Sequence, residues 1–365
     1  MKVAVACGGT GGHIFPGLAT ARVLRQRGHD VTLWLAGARP EQESLAGWDG
    51  PIERVNAAGF QGGLAARLLV GPGLAVSASA SAWRRMRRGR PDRLLAMGSY
   101  ACVGPVVAAR LLGVPVVLHE ANAVPGRAIA LLARVAEVVA LTFESAARYL
   151  PGRRTVVTGF PVRPDLAARF EDGVLRRDLF TVLVMGGSQG AQRLNELVPG
   201  ALVALHRAGV PLQVVHLAGP RDAERVKAVY AAAGIAHAVF GFLKEMGQAY
   251  GAADLAISRS GAASCTELAV CGVPALLVPF PWARRDHQTA NARELQRKGG
   301  ADIISQSELT ESWLAGYVRA CIENPAKLAA MRRNLATLAR PNAAERLADL
   351  VEKAGGGDGR RGARP

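Results

Sequence analysis

The residues best suited to chemistry cluster around two glycine turns and one histidine. A β-branched run at residues 2–6 enters Gly8-Gly9-Thr10-Gly11-Gly12-His13, and a second at 181–185 enters Gly186-Gly187-Ser188-Gln189-Gly190. A glycine turn between strand and helix points backbone N–H groups outward at a helix start, where the dipole favours an anion such as a diphosphate. Ser188 adds a hydroxyl to the second turn. Neither turn is a strict G-x-G-x-x-G, and no acidic residue ends the second strand to hold an adenine ribose, which counts against a dinucleotide oxidoreductase. His13 stands at the start of the helix that follows the first turn, where imidazolium is disfavoured. A neutral ring there can act as general base on a substrate hydroxyl. The competing reading is a histidine that only caps the helix or binds phosphate.

A third cluster is Ser258-Arg259-Ser260-Gly261-Ala262-Ala263-Ser264-Cys265-Thr266-Glu267-Leu268. Small residues leave a strand and enter a helix that carries Glu267 about one turn in. A carboxylate so placed can accept two hydrogen bonds from a ribose diol, or it can be a helix-capping group. The run Asp286-His287-Gln288-Thr289-Ala290-Asn291 adds a polar rim.

Positioning these residues requires strands alternating with helices. The pattern predicts strands at Lys2–Ala6, Val31–Ala36, Leu94–Met97, Val114–His119, Val138–Leu141, Thr155–Thr158, Thr181–Met185, Leu212–Leu217, Ala238–Phe240, Leu255–Ser258 and Ala275–Val278. Helices such as Gly17–Gln26 and Ala290–Arg297 fall between them. Continuous apolar strands alternating with helices indicate buried parallel sheets, hence an α/β doubly wound architecture. The repeated strand–glycine turn–helix unit suggests two Rossmann-like domains, and the breaker-rich 158–164 makes a linker.

At 365 residues the chain is long enough for about two domains. Half its residues are hydrophobic and a fifth are charged, a globular balance. The net charge is +16, and residues 1–160 hold 19 Lys and Arg against 9 Asp and Glu. That excess implies an anionic partner, nucleic acid or an anionic membrane. With 5 % aromatics and no recognisable module, nucleic acid is the weaker choice. Five scattered cysteines without a C-x-x-C pair suggest neither disulfides nor zinc, and read as a reduced cytoplasm. The start does not read as a signal peptide, because its short apolar run enters a glycine loop directly. The apolar stretch 101–118 is broken by Pro105, Arg110, Gly113 and Pro115, so a peripheral or soluble protein is expected.

Residues 59–93 place Leu64, Leu68, Leu69, Val70, Leu74 and Trp83 beside Arg84, Arg85, Arg87, Arg88 and Arg90. Apolar side chains next to clustered arginines suit a peripheral protein on anionic lipid, each basic group contributing about 1 kcal/mol there. Core leucines and a solvated arginine face are the alternatives.

Taken in order, GGTGGHIFPGL (8–18), HEANAVPGRA (119–128), TGFPVR (158–163), GGSQGAQRLN (186–195), SRSGAASCTEL (258–268) and PFPWARRDHQTANA (279–292) closely resemble the MurG family. These are the UDP-N-acetylglucosamine:lipid I N-acetylglucosaminyltransferases of peptidoglycan synthesis. The resemblance spans residues 1–350 and implies the glycosyltransferase-B fold, two facing Rossmann-like domains. It assigns 1–160 to the lipid acceptor and membrane, and 161–339 to UDP-N-acetylglucosamine. A last helix at about 340–354 would return to the first domain, and 355–365 would form a disordered tail. It further implies that Ser188 and Arg163 meet the donor diphosphate, the Leu243 backbone the uracil, and Glu267 the ribose. Ala262, Ala263 and Ser264, followed by Cys265 and Thr266, would read the N-acetylglucosamine with Gln288. Thr10, Gly11, Gly12 and Asn122 would line the cleft near the transferred sugar. His13 matches the proposed base, with Glu120 the competing carboxylate. The 281–285 loop, just before Gln288, is one that varies in length and content in the family.

No D-x-D triplet occurs, so no metal or other cofactor is expected. The expected place of action is the cytoplasmic face of the cell membrane. A different acceptor, such as diacylglycerol or a glycopeptide aglycone, would fit the same fold. So would a UDP-N-acetylglucosamine 2-epimerase or a non-catalytic nucleotide-sugar binding module.

Overall fold

A computed structural model describes residues 1–355 except 9–10, 37–44, 46, 56–70, 164–165, 167–169, 171–174, 177 and 188–189. Residues 11, 36 and 71–75 are described in their backbone alone. Thr10, Leu64, Leu68, Leu69, Ser188 and the tail from 356 lie outside the described residues.

Two compact units share the chain: residues 1–163 with 341–365, and residues 164–340. The first contains β1 (Lys2–Gly8), α1 (Gly11–Gln26), β2 (Asp30–Ala36), β3 (Ile52–Val55), α2 (Gly71–Arg88) and β4 (Arg93–Ala96). It continues through α3 (Val103–Leu111), β5 (Val116–Glu120), α4 (Arg127–Leu132), β6 (Val138–Leu141) and β7 (Thr155–Val157). The second opens with β8 (Phe180–Met185), α5 (Gln192–Arg207), β9 (Leu212–Leu217), α6 (Ala223–Ala232), β10 (Ala236–Phe240) and α7 (Met246–Ala252). It closes with β11 (Leu255–Ser258), α8 (Ala262–Cys271), β12 (Ala275–Leu277), α9 (His287–Arg297), β13 (Ala301–Ile303), α10 (Glu311–Glu323) and α11 (Pro325–Leu338). The last helix, α12 (Ala343–Lys353), belongs to the first unit.

Each unit holds one all-parallel sheet. The orders are β3-β2-β1-β4-β5-β6-β7 and β10-β9-β8-β11-β12-β13. Helices cover both faces, which is why strands such as Val182–Met185 are buried along their length. In both sheets the order reverses beside the first strand, between β1 and β4 and between β8 and β11. That reversal opens a crevice at the strands' C-terminal ends, where ligands of doubly wound sheets bind.

Two elements differ from the sequence expectation in an informative way. Helix α1 begins at Gly11 rather than Gly17, so Pro16 and Gly17 lie inside it. Gly17 is needed there, because a Cβ would collide with Cys7 Sγ of β1. The first unit also runs through Arg163 rather than residue 160. Phe160 is buried, and the Arg163 guanidinium lies 4.6 Å over the Phe15 ring of α1. Helix α12 docks through Leu347, Leu350, Val351 and Ala354, spaced for one helical face, onto the core shared by β1 and α1. Arg27 bonds Asp349 and Glu352 at its rim, and His29 meets Glu352 at 2.8 Å.

Candidate active site

In the first unit, β1 and β4 bring His13 and Met97 together. His13 is the third residue of α1, and its Nδ1–H donates to the Met97 carbonyl at 2.9 Å. A carbonyl can only accept, so the proton sits on Nδ1 and the lone pair on Nε2. Burial lowers the His13 pKa from the ordinary 6.5, outweighing the Met97 bond, and the helix start acts in the same direction as burial. The ring is thus neutral at pH 7 with its basic nitrogen turned away from Met97. Gly98, at φ 88°, lets the chain turn beside the ring; a Cβ there would lie 3.7 Å from His13 Cε1. Ser99 Oγ donates to the Gly8 carbonyl at 3.3 Å and ties the two strand ends together.

Glu120 ends β5 in a different state. Its Oε1 accepts from the Asn122 backbone N–H at 2.7 Å and the Asn122 amide at 3.2 Å, and its Oε2 accepts from Gly126 N–H at 3.1 Å. Burial raises its pKa to about 7 although these bonds pull it down. Both oxygens hold the 121–126 loop in shape, so Glu120 positions Asn122, whereas His13 keeps a basic nitrogen available. Gly12 is exposed at the start of α1, beside Gly11.

In the second unit the turn after β8 leads to α5, whose cap residue Ala191 supplies no side-chain bond. Gly190, at φ 74°, must be glycine, since a Cβ would run into the Ala218 carbonyl. After β11 the chain enters α8 through Gly261, which also caps with no side chain. The first N–H groups of Ala262, Ala263 and Ser264 are the open donors of that helix. Cys265 does not belong with them. Its side chain is fully buried, its thiol pKa is raised by burial, and its N–H donates to Gly261 O at 2.9 Å. Thr266 is also buried. Glu267, 3 % exposed, accepts at Oε2 from the Tyr250 hydroxyl at 2.8 Å. Tyr250 comes from α7, and half-buried Leu243 precedes that same helix.

Gln288, in the first turn of α9, accepts at Oε1 from Phe280 N–H at 3.0 Å and Ser260 N–H at 3.3 Å. Both bonds fix the side-chain carbonyl, so what Gln288 can offer the cleft is its amide N–H groups. A cleft of about 530 Å³ opens here, lined by Gly186, Gly190, Ala191, Arg193, Glu196, Arg259, Trp282, Gln288 and Gln306 among others.

Arg259 is a functional candidate to which the sequence reading gave no role. It is 7 % exposed and donates to Val278 O at 3.0 Å, Pro279 O at 3.3 Å and Gln306 Oε1 at 2.5 Å. Its partners are neutral, so a fixed positive charge lines the cleft beside the glycine turn. An arginine within a run of Ser, Gly and Ala was the signal in the sequence. Asn291, fully buried, donates to Ser260 O at 3.1 Å and supports the same loop. Among the described residues, no group of three or more His, Cys, Asp or Glu side chains is placed to hold a metal ion.

Of the arginine-rich stretch, α2 carries Trp83 and four of the five arginines, Arg90 lying beyond its end. Trp83 is half-buried against the core, and Arg87 lies 5.2 Å over its ring. Arg85 pairs with Glu53 at 2.8 Å, while Arg84 and Arg88 are exposed. Between α2 and α3 runs an apolar groove of about 560 Å³ that includes Trp83, Val76 and Leu111, the last two 69 % and 70 % exposed. No helix among the described residues is long and apolar enough to cross a membrane.

Known proteins bear on this geometry. The Glycosyltransferase family 28 N-terminal domain profile matches residues 3–141, and the C-terminal domain profile matches residues 181–347. The UDP-N-acetylglucosamine--N-acetylmuramyl-(pentapeptide) pyrophosphoryl-undecaprenol N-acetylglucosamine transferase of Aeromonas hydrophila is 42 % identical over 359 residues, 96 % of each chain. Acinetobacter baumannii MurG, a crystal structure, is 35 % identical with a TM-score of 0.77, covering 97 % of this chain and 100 % of that one. UDP-GlcNAc 2-epimerase from Neisseria meningitidis shares the fold alone, at TM-score 0.70 and 13 % identity, covering 97 % of this chain and 100 % of that one. Matched along both halves, the chain belongs to glycosyltransferase family 28.

Proposed function

We propose that this protein transfers N-acetylglucosamine from UDP-N-acetylglucosamine to the C4 hydroxyl of the muramoyl sugar of lipid I, with inversion, giving lipid II. The observation that carries the chemistry is the Nδ1–H bond from His13 to Met97, which leaves Nε2 as a neutral base. The acceptor O–H gives its proton to Nε2 as its oxygen bonds the anomeric carbon. The bond from that carbon to the diphosphate oxygen breaks, and UDP departs. The second unit holds the donor. Glu267, oriented by Tyr250, takes the ribose; the Leu243 backbone takes the uracil; Ala262, Ala263, Ser264 and Gln288 take the sugar. The glycine turn with Ser188, assisted by Arg163, receives the diphosphate.

Arg259 adds a fixed cation where negative charge develops on the leaving group, which supports a transfer that needs no divalent metal. The relative's name supports the donor and acceptor. The first unit holds the acceptor, with Thr10, Gly11, Gly12 and Asn122 near its reacting end. The exposed Arg84 and Arg88 beside the apolar α2–α3 groove suit peripheral binding to anionic lipid on the cytoplasmic face. His13→Ala should lower turnover by about 10²–10⁴-fold. Near-normal turnover would remove His13 as the base.

A further inference from the structure

Trp282 is the most exposed large apolar side chain among the described residues, 74 % accessible on the loop that leads into α9. A single exposed apolar side chain needs no explanation by itself, so what surrounds Trp282 carries the argument. Its surroundings are built rather than loose. Phe280 meets Trp282 edge-on with ring centroids 5.3 Å apart, and the buried Arg259 guanidinium holds Phe280 from beneath at 5.5 Å. Just beyond, Arg285 and Asp286 adopt φ of 55° and 50°, a conformation non-glycine residues rarely take. That turn is secured by Asp286 N–H donating to Ala283 O at 3.0 Å and by Thr289 Oγ donating to Asp286 Oδ1 at 2.6 Å.

The same ring lines the cleft with Gln288, whose carbonyl oxygen is already engaged by Phe280 N–H. Amide donors set beside an upright aromatic face match a pyranose. The hydroxyls lie on the rim of such a ring and meet the amides, while its C–H face rests on the negative face of the indole. We propose that Trp282 is a specificity-determining residue that stacks on the pyranose face of the donor sugar. This rests on the donor assignment above.

The test compares wild type, Trp282→Ala and Trp282→Phe by calorimetric titration with UDP and with UDP-N-acetylglucosamine. Thermal unfolding serves as a check on folding. Trp282→Ala should weaken UDP-N-acetylglucosamine about tenfold, leave UDP within about twofold, and be largely rescued in Trp282→Phe. Equal losses for both ligands would make the ring a nucleotide platform and overturn the proposal. So would unchanged binding of both. A wild type that gained nothing from the sugar over UDP would instead remove the donor assignment, and the stacking with it.

Discussion

A single backbone carbonyl decides which nitrogen of His13 is basic, and Glu120 spends both carboxylate oxygens on its own loop. The two candidate bases therefore leave different marks on a pH profile. Burial holds the His13 pKa below 6.5, so the midpoint of the acid limb should lie below that of a free imidazole. Glu120, raised to about 7, would instead put the acid limb near pH 7. A kcat/KM profile read between pH 5 and 8 separates them. In the second unit, Tyr250→Phe should weaken UDP about threefold to tenfold by freeing Glu267, while 2′-deoxy-UDP, which offers no diol, loses less. Calorimetry with both nucleotides reads the difference, and equal losses would contradict the positioning role. His13 and Glu267 were legible because glycine or small-residue runs flank them in the chain. Met97 and Tyr250 were not, because each acts through a partner that only the fold brings close, and Arg259 stood in the sequence without the neutral carbonyls that fix it.

Among the elements, the central strands were legible because burial on both faces demands apolar runs. The two missed strands are sheet edges. β3 carries Glu53 and Arg54, and β13 carries Asp302 within three residues, so neither needed such a run. The sequence placed His13 at a helix start yet a helical segment only from Gly17; α1 runs unbroken from Gly11, and close approach to Cys7 requires the glycine inside it. Helix α2 divides the arginine cluster into members that meet another side chain and members that do not among the described residues. Arg85 is held by Glu53 and Arg87 rests on Trp83, while Arg84 Nε donates to the Ala80 carbonyl at 3.4 Å and Arg88 is exposed, so the proposed lipid contact would fall to Arg84 and Arg88. Arg84→Glu with Arg88→Glu should reduce binding to vesicles containing anionic lipid by at least tenfold at moderate salt. Donor affinity should stay the same. Vesicle sedimentation measures this, and undiminished binding would move the contact elsewhere.

At the level of the whole molecule, two units with the same sheet order differ in how acid affects them. In the first, burial lowers the His119 pKa to about 4 and raises that of Glu120 to about 7. As pH falls from 7 to 4.5 the histidine withdraws stability while the carboxyl, easier to protonate folded than unfolded, adds it, so the two largely offset. Among the described residues of the second unit, the carboxyl that interacts with the buried histidine, Asp222, is lowered rather than raised and gives no such offset. His216 is buried between Tyr230 and Asn195 and lowered to about 3, so its stabilisation is complete above 6.5 and is lost as pH falls towards 3. Between pH 6.5 and 5 this amounts to roughly 2 kcal/mol. Hydrogen exchange at pH 7 and pH 5 should show β8, β9 and α5 losing protection before β1, β4 and β5. The reverse order would contradict it. The most direct measurement of the proposed function is transfer of labelled N-acetylglucosamine from UDP-N-acetylglucosamine to a lipid I analogue, with and without EDTA. Label should enter the lipid product at nearly the same rate in both. A product that formed only with added divalent metal would contradict the metal-free transfer, and label that never left UDP or appeared as an epimer without acceptor would contradict the transferase itself.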